Sequence, residues 1–248
     1  MKKEILIHVP HSSTKIPNIF YKNKILNKND VTKLNQFLCD KYVDKLIPKS
    51  YTKLIFKYSR IFCDVERYKD YDKEIMYKYG MGICYTKDNK GNTFIKHKKG
   101  YKENVIKNYY DKHHKKLDKL SKEKLRKYNT LYLFDFHSYS SNLVKDLFNK
   151  ENNPDICIGF NEYFKSDELI IFTKKFFEQK GFSVKYNYPY EGTIIPNYYY
   201  NKRNVDIKSI MIELNKRIYM DDNKLNLKKF IILKKVLKDY FKELEKIK

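Results

Sequence analysis

Cysteine is scarce in this chain. The 248 residues carry four, Cys39, Cys63, Cys84 and Cys157, and no two form a Cys-x-x-Cys pair. That excludes a disulfide-stapled scaffold and a cysteine zinc site, and it fits free thiols in a reducing compartment. Long apolar runs are missing as well: nothing approaches the ~18–20 residues that span a bilayer. The opening Met1-Lys2-Lys3-Glu4-Ile5-Leu6-Ile7-His8-Val9-Pro10-His11 starts on a basic pair. Its apolar stretch is too short and polar-interrupted for a signal peptide, so the N-terminus reads as mature and the protein as cytoplasmic. Only 7 Gly and 6 Pro are present. There is no repeat, Gly/Ser linker or Pro-rich stretch, so one domain over residues 1–248 is expected.

Arginine is the other shortage. Lys plus Arg total 53 against 30 Asp plus Glu, a formal net charge of +23, yet only Arg60, Arg67, Arg126, Arg203 and Arg217 are arginine. A charge this large invites a nucleic-acid partner. Base readout and phosphate forks favour Arg, however. Here the excess is Lys, dispersed among apolar positions and accompanied by many Asn, Ile and Tyr. That is the bias of an AT-rich genome and fits solvated faces, which argues against nucleic-acid binding. Hydrophobic residues at 42% and aromatics at 16% supply a sizeable core and exclude global disorder.

The pattern along the chain alternates strands and helices. Ile5 to Val9 is an apolar run ending at Pro10-His11-Ser12-Ser13, a strand entering a loop. Residues 29–47 show helical spacing at Val31, Leu34, Phe37, Leu38, Val43 and Leu46. Strands are expected at 53–58 and 60–65, then a long irregular loop over 69–101, a length that usually signals function. Residues 102–128 read as a helix, 131–136 as a buried strand, 167–181 as a helix closed by Gly181, and 183–186 as a strand. The Tyr-rich segment 188–200 is a loop whose Tyr190 and Gly192 are candidates to line a pocket. Residues 209–214 form the last core strand, and 225–247 a terminal amphipathic helix. This order predicts an α/β fold with a mixed, mostly parallel sheet flanked by helices. In such sheets ligands bind beyond the carboxyl ends of the strands. His11, Asp64, His137 and Glu213 each fall at or just past a predicted strand end. Two histidines and carboxylates on one sheet edge are the ligand types of a catalytic zinc site, with water in the open position. A carboxylate that is not a ligand then serves as general base.

Five segments, in order, carry a family resemblance: Val9-Pro10-His11-Ser12-Ser13, Ser59-Arg60-Ile61-Phe62-Cys63-Asp64-Val65-Glu66-Arg67, Asp135-Phe136-His137-Ser138, Pro154-Asp155-Ile156-Cys157-Ile158-Gly159, and residues 209–220 from Ser209 to Met220. Each alone is weak. Together, over about residues 4–221, they resemble the N-formylglutamate amidohydrolases, of the zinc-carboxypeptidase-like fold. The resemblance implies Zn²⁺ held by His11 and His137. Thr14 stands where carboxypeptidases place the ligand Glu of His-x-x-Glu, so a replacement carboxylate is needed. Asp40, in Asp40-Lys41-Tyr42-Val43-Asp44, resembles an acidic helix motif of the family and is the expected third ligand, with Glu66 as rival. Asp64 resembles the acid that orients the first zinc His, and Glu213 the general base. Arg67 resembles the carboxypeptidase Arg that grips a substrate carboxylate, and Glu66 stands where carboxypeptidases have Asn, beside that carboxylate pocket. Arg60, placed by strand parity with Asp64, is expected to steady an oxyanion. His114 falls where the family carries a His and is a candidate for the substrate pocket with Gly192.

The expected activity is therefore zinc-dependent hydrolysis of an N-formyl or other N-acyl group from an acidic amino acid or similar small carboxylate, with no membrane partner. A zinc peptidase acting on a peptide or cell-wall fragment is the enzymatic alternative; an open groove would mark it, where a lidded pocket marks the small substrate. A basic nucleic-acid-binding protein is the non-enzymatic one, and it requires Lys gathered on one face with steep salt dependence.

Overall fold

The computed structural model describes residues 4–26, 28–70, 72–202 and 204–246. Arg203 and the predicted helix end at residue 247 lie outside them. The residues group into two compact units.

The first unit, residues 4–9, 42–54 and 117–246, is built on a six-stranded sheet. In chain order its strands are β1 (Ile5–Val9), β2 (Thr52–Ile55), β3 (Thr130–Tyr139), β4 (Ile156–Gly159), β5 (Val184–Tyr186) and β6 (Asp206–Asn215). Their order across the sheet is β2-β1-β3-β6-β4-β5. β1 with β3, β3 with β6, and β4 with β5 are parallel, while β4 runs antiparallel to β6. The α/β fold with a mixed, mostly parallel sheet is as expected. All five residues of β1 are buried, which is why its sequence reads as an unbroken apolar run and not as an alternation.

Parity along the two central strands explains where polar groups collect. On one face of β3, Phe134 and Phe136 pack on Phe241 of helix Leu227–Leu244, and Tyr240 of that helix stacks on Phe172 and Phe177 of helix Asp167–Gln179. On the other face Leu131 and Leu133 join Leu6, Leu54, Leu117 and Ile207 in a second apolar cluster. Further along that second face β3 switches to Asp135, His137 and Tyr139, and β6 to Glu213 and Asn215. Side chains two apart share a face. The carboxyl halves of these strands therefore carry a polar row on an otherwise apolar surface.

The second unit comprises residues 10–41 and 55–116. It holds helix Lys28–Leu38, the loop predicted over 69–101 with a short 3₁₀ turn Ile75–Tyr79, and the start of the long helix that runs from Tyr101 to Tyr128. Two expectations are corrected here. The helix predicted over 29–47 ends at Leu38, and Asp40 sits in the break before a short turn, Val43–Leu46. Tyr42 has φ 68°, a left-handed conformation that no helix continues through. The strand predicted over 60–65 is absent: Ser59 O accepts from the amides of Phe62 and Cys63, each at 3.1 Å, which closes a turn. Its apolar residues, Ile61, Phe62, Cys63 and Val65, are fully buried, so the run reports burial of a loop. Asp64 is thus not at a strand end, and the parity argument for Arg60 does not hold. Helix Ser141–Phe148, at two turns too short for a period to show, and strand β4 were not foreseen. All four cysteines are buried, and none is in a disulfide.

Candidate active site

In the second unit the polar centre is Asp64, a fully buried carboxylate. Its Oδ1 accepts from His11 Nε2 at 2.8 Å and from the Glu66 amide at 3.1 Å. Its Oδ2 accepts from Tyr85 OH at 2.8 Å and from Arg60 Nη2 at 3.1 Å, with Arg67 Nη2 at 3.3 Å. The turn closed on Ser59 makes this possible, because it folds Arg60 back onto the residue four ahead. The Asp64 amide also bonds Ile83 O at 2.8 Å, which anchors the turn from a distant segment. Burial alone would raise the Asp64 pKa. The charges of Arg67, His11 and Arg60 reverse this and hold it well below the usual carboxylate range.

Asp64 in turn decides what His11 presents. A carboxylate at Nε2 keeps the proton there, which leaves Nδ1 as the basic nitrogen. His11 Nδ1 lies 3.8 Å from Asp40 Oδ2 and 3.9 Å from Glu66 Oε2. Both are too long for hydrogen bonds. They are near the roughly 3.3–3.5 Å that separates two ligands each 2.0–2.1 Å from a tetrahedral ion. The Asp40 amide donates to His11 O at 2.9 Å, so the helix break is tied to the loop that bears the His. Burial and Arg60 lower the His11 pKa, which favours the neutral ring a metal requires. Asp40 is buried beside Nδ1 and Glu66 is partly exposed; an imidazole nitrogen and a buried carboxylate are ligand types that suit a zinc ion.

The other residues expected in the site have definite places in this unit. Arg67 directs Nε at Met81 O, 3.1 Å, and Nη2 at Tyr85 OH, 3.3 Å, besides Asp64. The fork expected to read a substrate is thus engaged within the protein. His114 donates from Nε2 to Val65 O at 2.7 Å and stacks on Tyr110, whose hydroxyl donates to Arg67 O. Both come from the long helix. The π turn Ile106–Tyr110 in it is a widening common at functional sites.

In the first unit His137 and Glu213 are direct partners across β3 and β6. His137 is 3% and Glu213 7% exposed, so each is buried on the polar row. Burial and the Glu213 charge push the Cys157 thiol, opposite it on β4, up to about 12. His137 Nε2 lies 3.2 Å from Asp135 Oδ1, which also pairs with His8 Nδ1 at 2.8 Å. The Ile194 amide donates to Asp135 Oδ2 at 3.3 Å. Gly192, at φ 81°, packs its carbonyl against Gly159, where an added Cβ would come within 2.4 Å of it. Only glycine at 159 lets that loop approach β4.

Three residues of these networks escaped the sequence reading: His8, Asp135 and Tyr85. For the first two a signal existed. Each is an ionisable side chain near the end of an apolar strand, and the parallel register sets them side by side. Tyr85 offered none, since it reaches Asp64 from 21 residues away through an irregular loop.

Comparison with known proteins fits this arrangement. The family model for N-formylglutamate amidohydrolase matches residues 3–220. No curated relative matches significantly in sequence. Among solved structures, the N-formylglutamate amidohydrolase from Ralstonia eutropha JMP134 superposes with a TM-score of 0.83 at 19% identity, over 97% of this chain and 92% of that one. A gene product from Agrobacterium tumefaciens gives 0.68 at 13%, over 98% and 92%. At such identities these two speak for the fold. The family match spans most of the chain and includes all five motifs, and the chain belongs to the N-formylglutamate amidohydrolase family of amide-bond hydrolases.

Proposed function

We propose that this protein is a zinc-dependent amidohydrolase that removes the formyl, or another small acyl, group from an acidic amino acid, N-formyl-L-glutamate being the first substrate to test. The observation that carries the reading is His11, oriented through Nε2 by buried Asp64 so that Nδ1 faces Asp40 and Glu66. Zinc would be held by His11, Asp40 and, as the resemblance supplies, His137. Bound zinc lowers the pKa of water toward ~7 and polarises a carbonyl.

The chain's own residues then have separate tasks. Asp64 fixes the tautomer and raises the basicity of His11. Tyr85, Arg60 and Arg67 hold Asp64 as a carboxylate. Glu213 takes the proton from the attacking water and delivers it to the departing amine, which leaves as the free amino acid with formate as the second product. Arg60, bound to Asp64 along one edge of its guanidinium, retains donors with which to steady the oxyanion. Asp135 orients His8 through a hydrogen bond and lies beside His137 on the same strand.

The test is metal content of the purified protein by mass spectrometry, with formate release from a panel of N-formyl and N-acetyl amino acids. Stoichiometric zinc and chelator-sensitive release from the acidic members are expected. A metal-free protein that turns over the panel, or zinc retained in a His11→Ala/His137→Ala double variant, would refute the reading.

A further inference from the structure

The proposed reaction uses Asp40 and gives Glu66 no task, although Glu66 Oε2 stands 3.9 Å from His11 Nδ1.

The backbone around Glu66 is fixed group by group. The Glu66 amide donates to Asp64 Oδ1 at 3.1 Å, and Arg67 Nη1 lies 3.5 Å from Glu66 O. On either side, Val65 O accepts from His114 Nε2 and Arg67 O from Tyr110 OH, each at 2.7 Å. The following amide, of Tyr68, donates to Oε2 of buried Glu74 at 2.8 Å. Tyr110 and His114 are four residues apart on the long helix, and their rings pack on each other with centroids 4.3 Å apart. One face of a rigid element therefore grips the carbonyls before and after Glu66. A segment bonded at successive backbone groups cannot pivot, which is the support a working side chain needs.

The side chain itself is less enclosed than its acidic neighbours. Asp64 is fully buried and Asp40 is 1% exposed, whereas the Glu66 side chain is 16% exposed. Arg60 and Arg67 turn their guanidinium groups to Asp64. Glu66 thus presents a carboxylate beside the basic nitrogen of His11, where an arriving molecule can touch it.

A carboxylate only accepts hydrogen bonds. At neutral pH an N-acyl derivative of an acidic amino acid carries two carboxylates and an acyl oxygen, all acceptors, and a single polar donor, the N–H of the amide to be cleaved. Glu66 complements that N–H and repels the rest, so it orients the molecule as well as holding it. The departing amine carries more N–H bonds than the amide did, so the contact strengthens as the reaction proceeds.

We propose that Glu66 is a specificity residue whose carboxylate accepts the N–H of the scissile amide, and that Tyr110 and His114 are positioning residues that hold it through Arg67 O and Val65 O. This rests on the N-acyl amino-acid reading under Proposed function and narrows its substrates to secondary amides.

The test compares formate release from N-formyl-L-glutamate and from its N-methyl analogue, which lacks that hydrogen. Wild type should favour the N–H compound at least about tenfold in kcat/KM, the scale of a hydrogen bond to a charged group. Glu66→Gln fills the same space with a weaker acceptor and should keep only part of the preference. Glu66→Met keeps a similar shape without the acceptor and should lose most of it. Zinc content should stay at the wild-type level in both. Tyr110→Phe and His114→Phe each delete one bond of the clamp and keep a ring. Each should lower the preference severalfold in wild type and leave it unchanged in the Glu66→Met background, whereas a merely structural loss would slow both substrates alike in either background. Loss of zinc in Glu66→Gln makes Glu66 a ligand and overturns the proposal. So does a wild-type preference retained in both Glu66 variants; Gln decides alone if circular dichroism shows Glu66→Met misfolded. Calorimetric binding of the same two compounds separates this from the activity. A Glu66-dependent preference in binding without formate release sinks the activity and keeps the role of Glu66. Turnover with an unchanged preference in the Glu66 variants does the reverse, and neither binding nor turnover overturns both.

Discussion

Asp64→Asn is the most informative single change in this protein. The substitution keeps size and shape but removes the charge that Arg60, Arg67 and His11 share. If the new Oδ1 keeps His11 Nε2 and the Glu66 amide, the new Nδ2 stands where Oδ2 accepted from Tyr85, Arg60 and Arg67. Donors then meet donors. Breaking a buried ion pair by removing one partner costs about 3–5 kcal/mol. Asp64 is fully buried, but the Arg60 and Arg67 side chains are 16% and 17% exposed, so water recovers part of their charge. The expectation is the lower end, about 3 kcal/mol, or a fall in Tm of about 6–12 °C for a chain of this size. The protein has no tryptophan, so urea and thermal unfolding are best followed by far-ultraviolet circular dichroism. A chelator should be present so that lost metal is not counted. The Asp64→Asn/Arg67→Gln double variant should be less destabilised than the sum of the two singles, because removing Arg67 as well leaves fewer charges stranded. A loss below 1 kcal/mol in Asp64→Asn, or strictly additive losses in the double variant, would refute the view of Asp64 as the charge holding this centre together.

Glu213→Gln should keep wild-type zinc content and Tm while kcat falls about 10²-fold or more, the scale of general-base loss; loss of zinc would make Glu213 a ligand and displace Asp40. His137→Ala should lose most bound metal, since three protein ligands are the minimum of a catalytic site, as read by mass spectrometry after dialysis. Burial drives the His97 pKa down to about 4 against a backbone bond that raises it. A depressed histidine pKa means that the unfolded chain takes up the proton first, so this stability is present above pH ~6.5 and is lost as pH falls toward 4. His97→Gln should flatten that part of the urea-midpoint profile between pH 7 and 4.5, and an unchanged slope would exclude His97 as its source.

Local pattern determined much of this protein. The apolar runs of β1, β3 and β6 and the 3.6-residue period of helices Asp111–Tyr128 and Leu227–Leu244 were legible because each reports a face or segment withdrawn from water. His137 and Glu213 stood out because an ionisable side chain at the end of such a run needs a reason to be there. Where burial comes without a regular element, the same logic misled: Ile61, Phe62, Cys63 and Val65 read as a strand and form a buried turn. Only tertiary structure bent Arg60 back onto Asp64, brought Tyr85 to the same carboxylate, placed Asp40 in a helix break bonded to His11 O, and turned Arg217 on Asp155. The sequence partners in these contacts are 4, 21, 29 and 62 residues apart. No period links residues joined by hydrogen bonds across loops. Periodicity records which side of an element faces the core, whereas a loop's conformation is decided by partners that only the finished fold brings within reach.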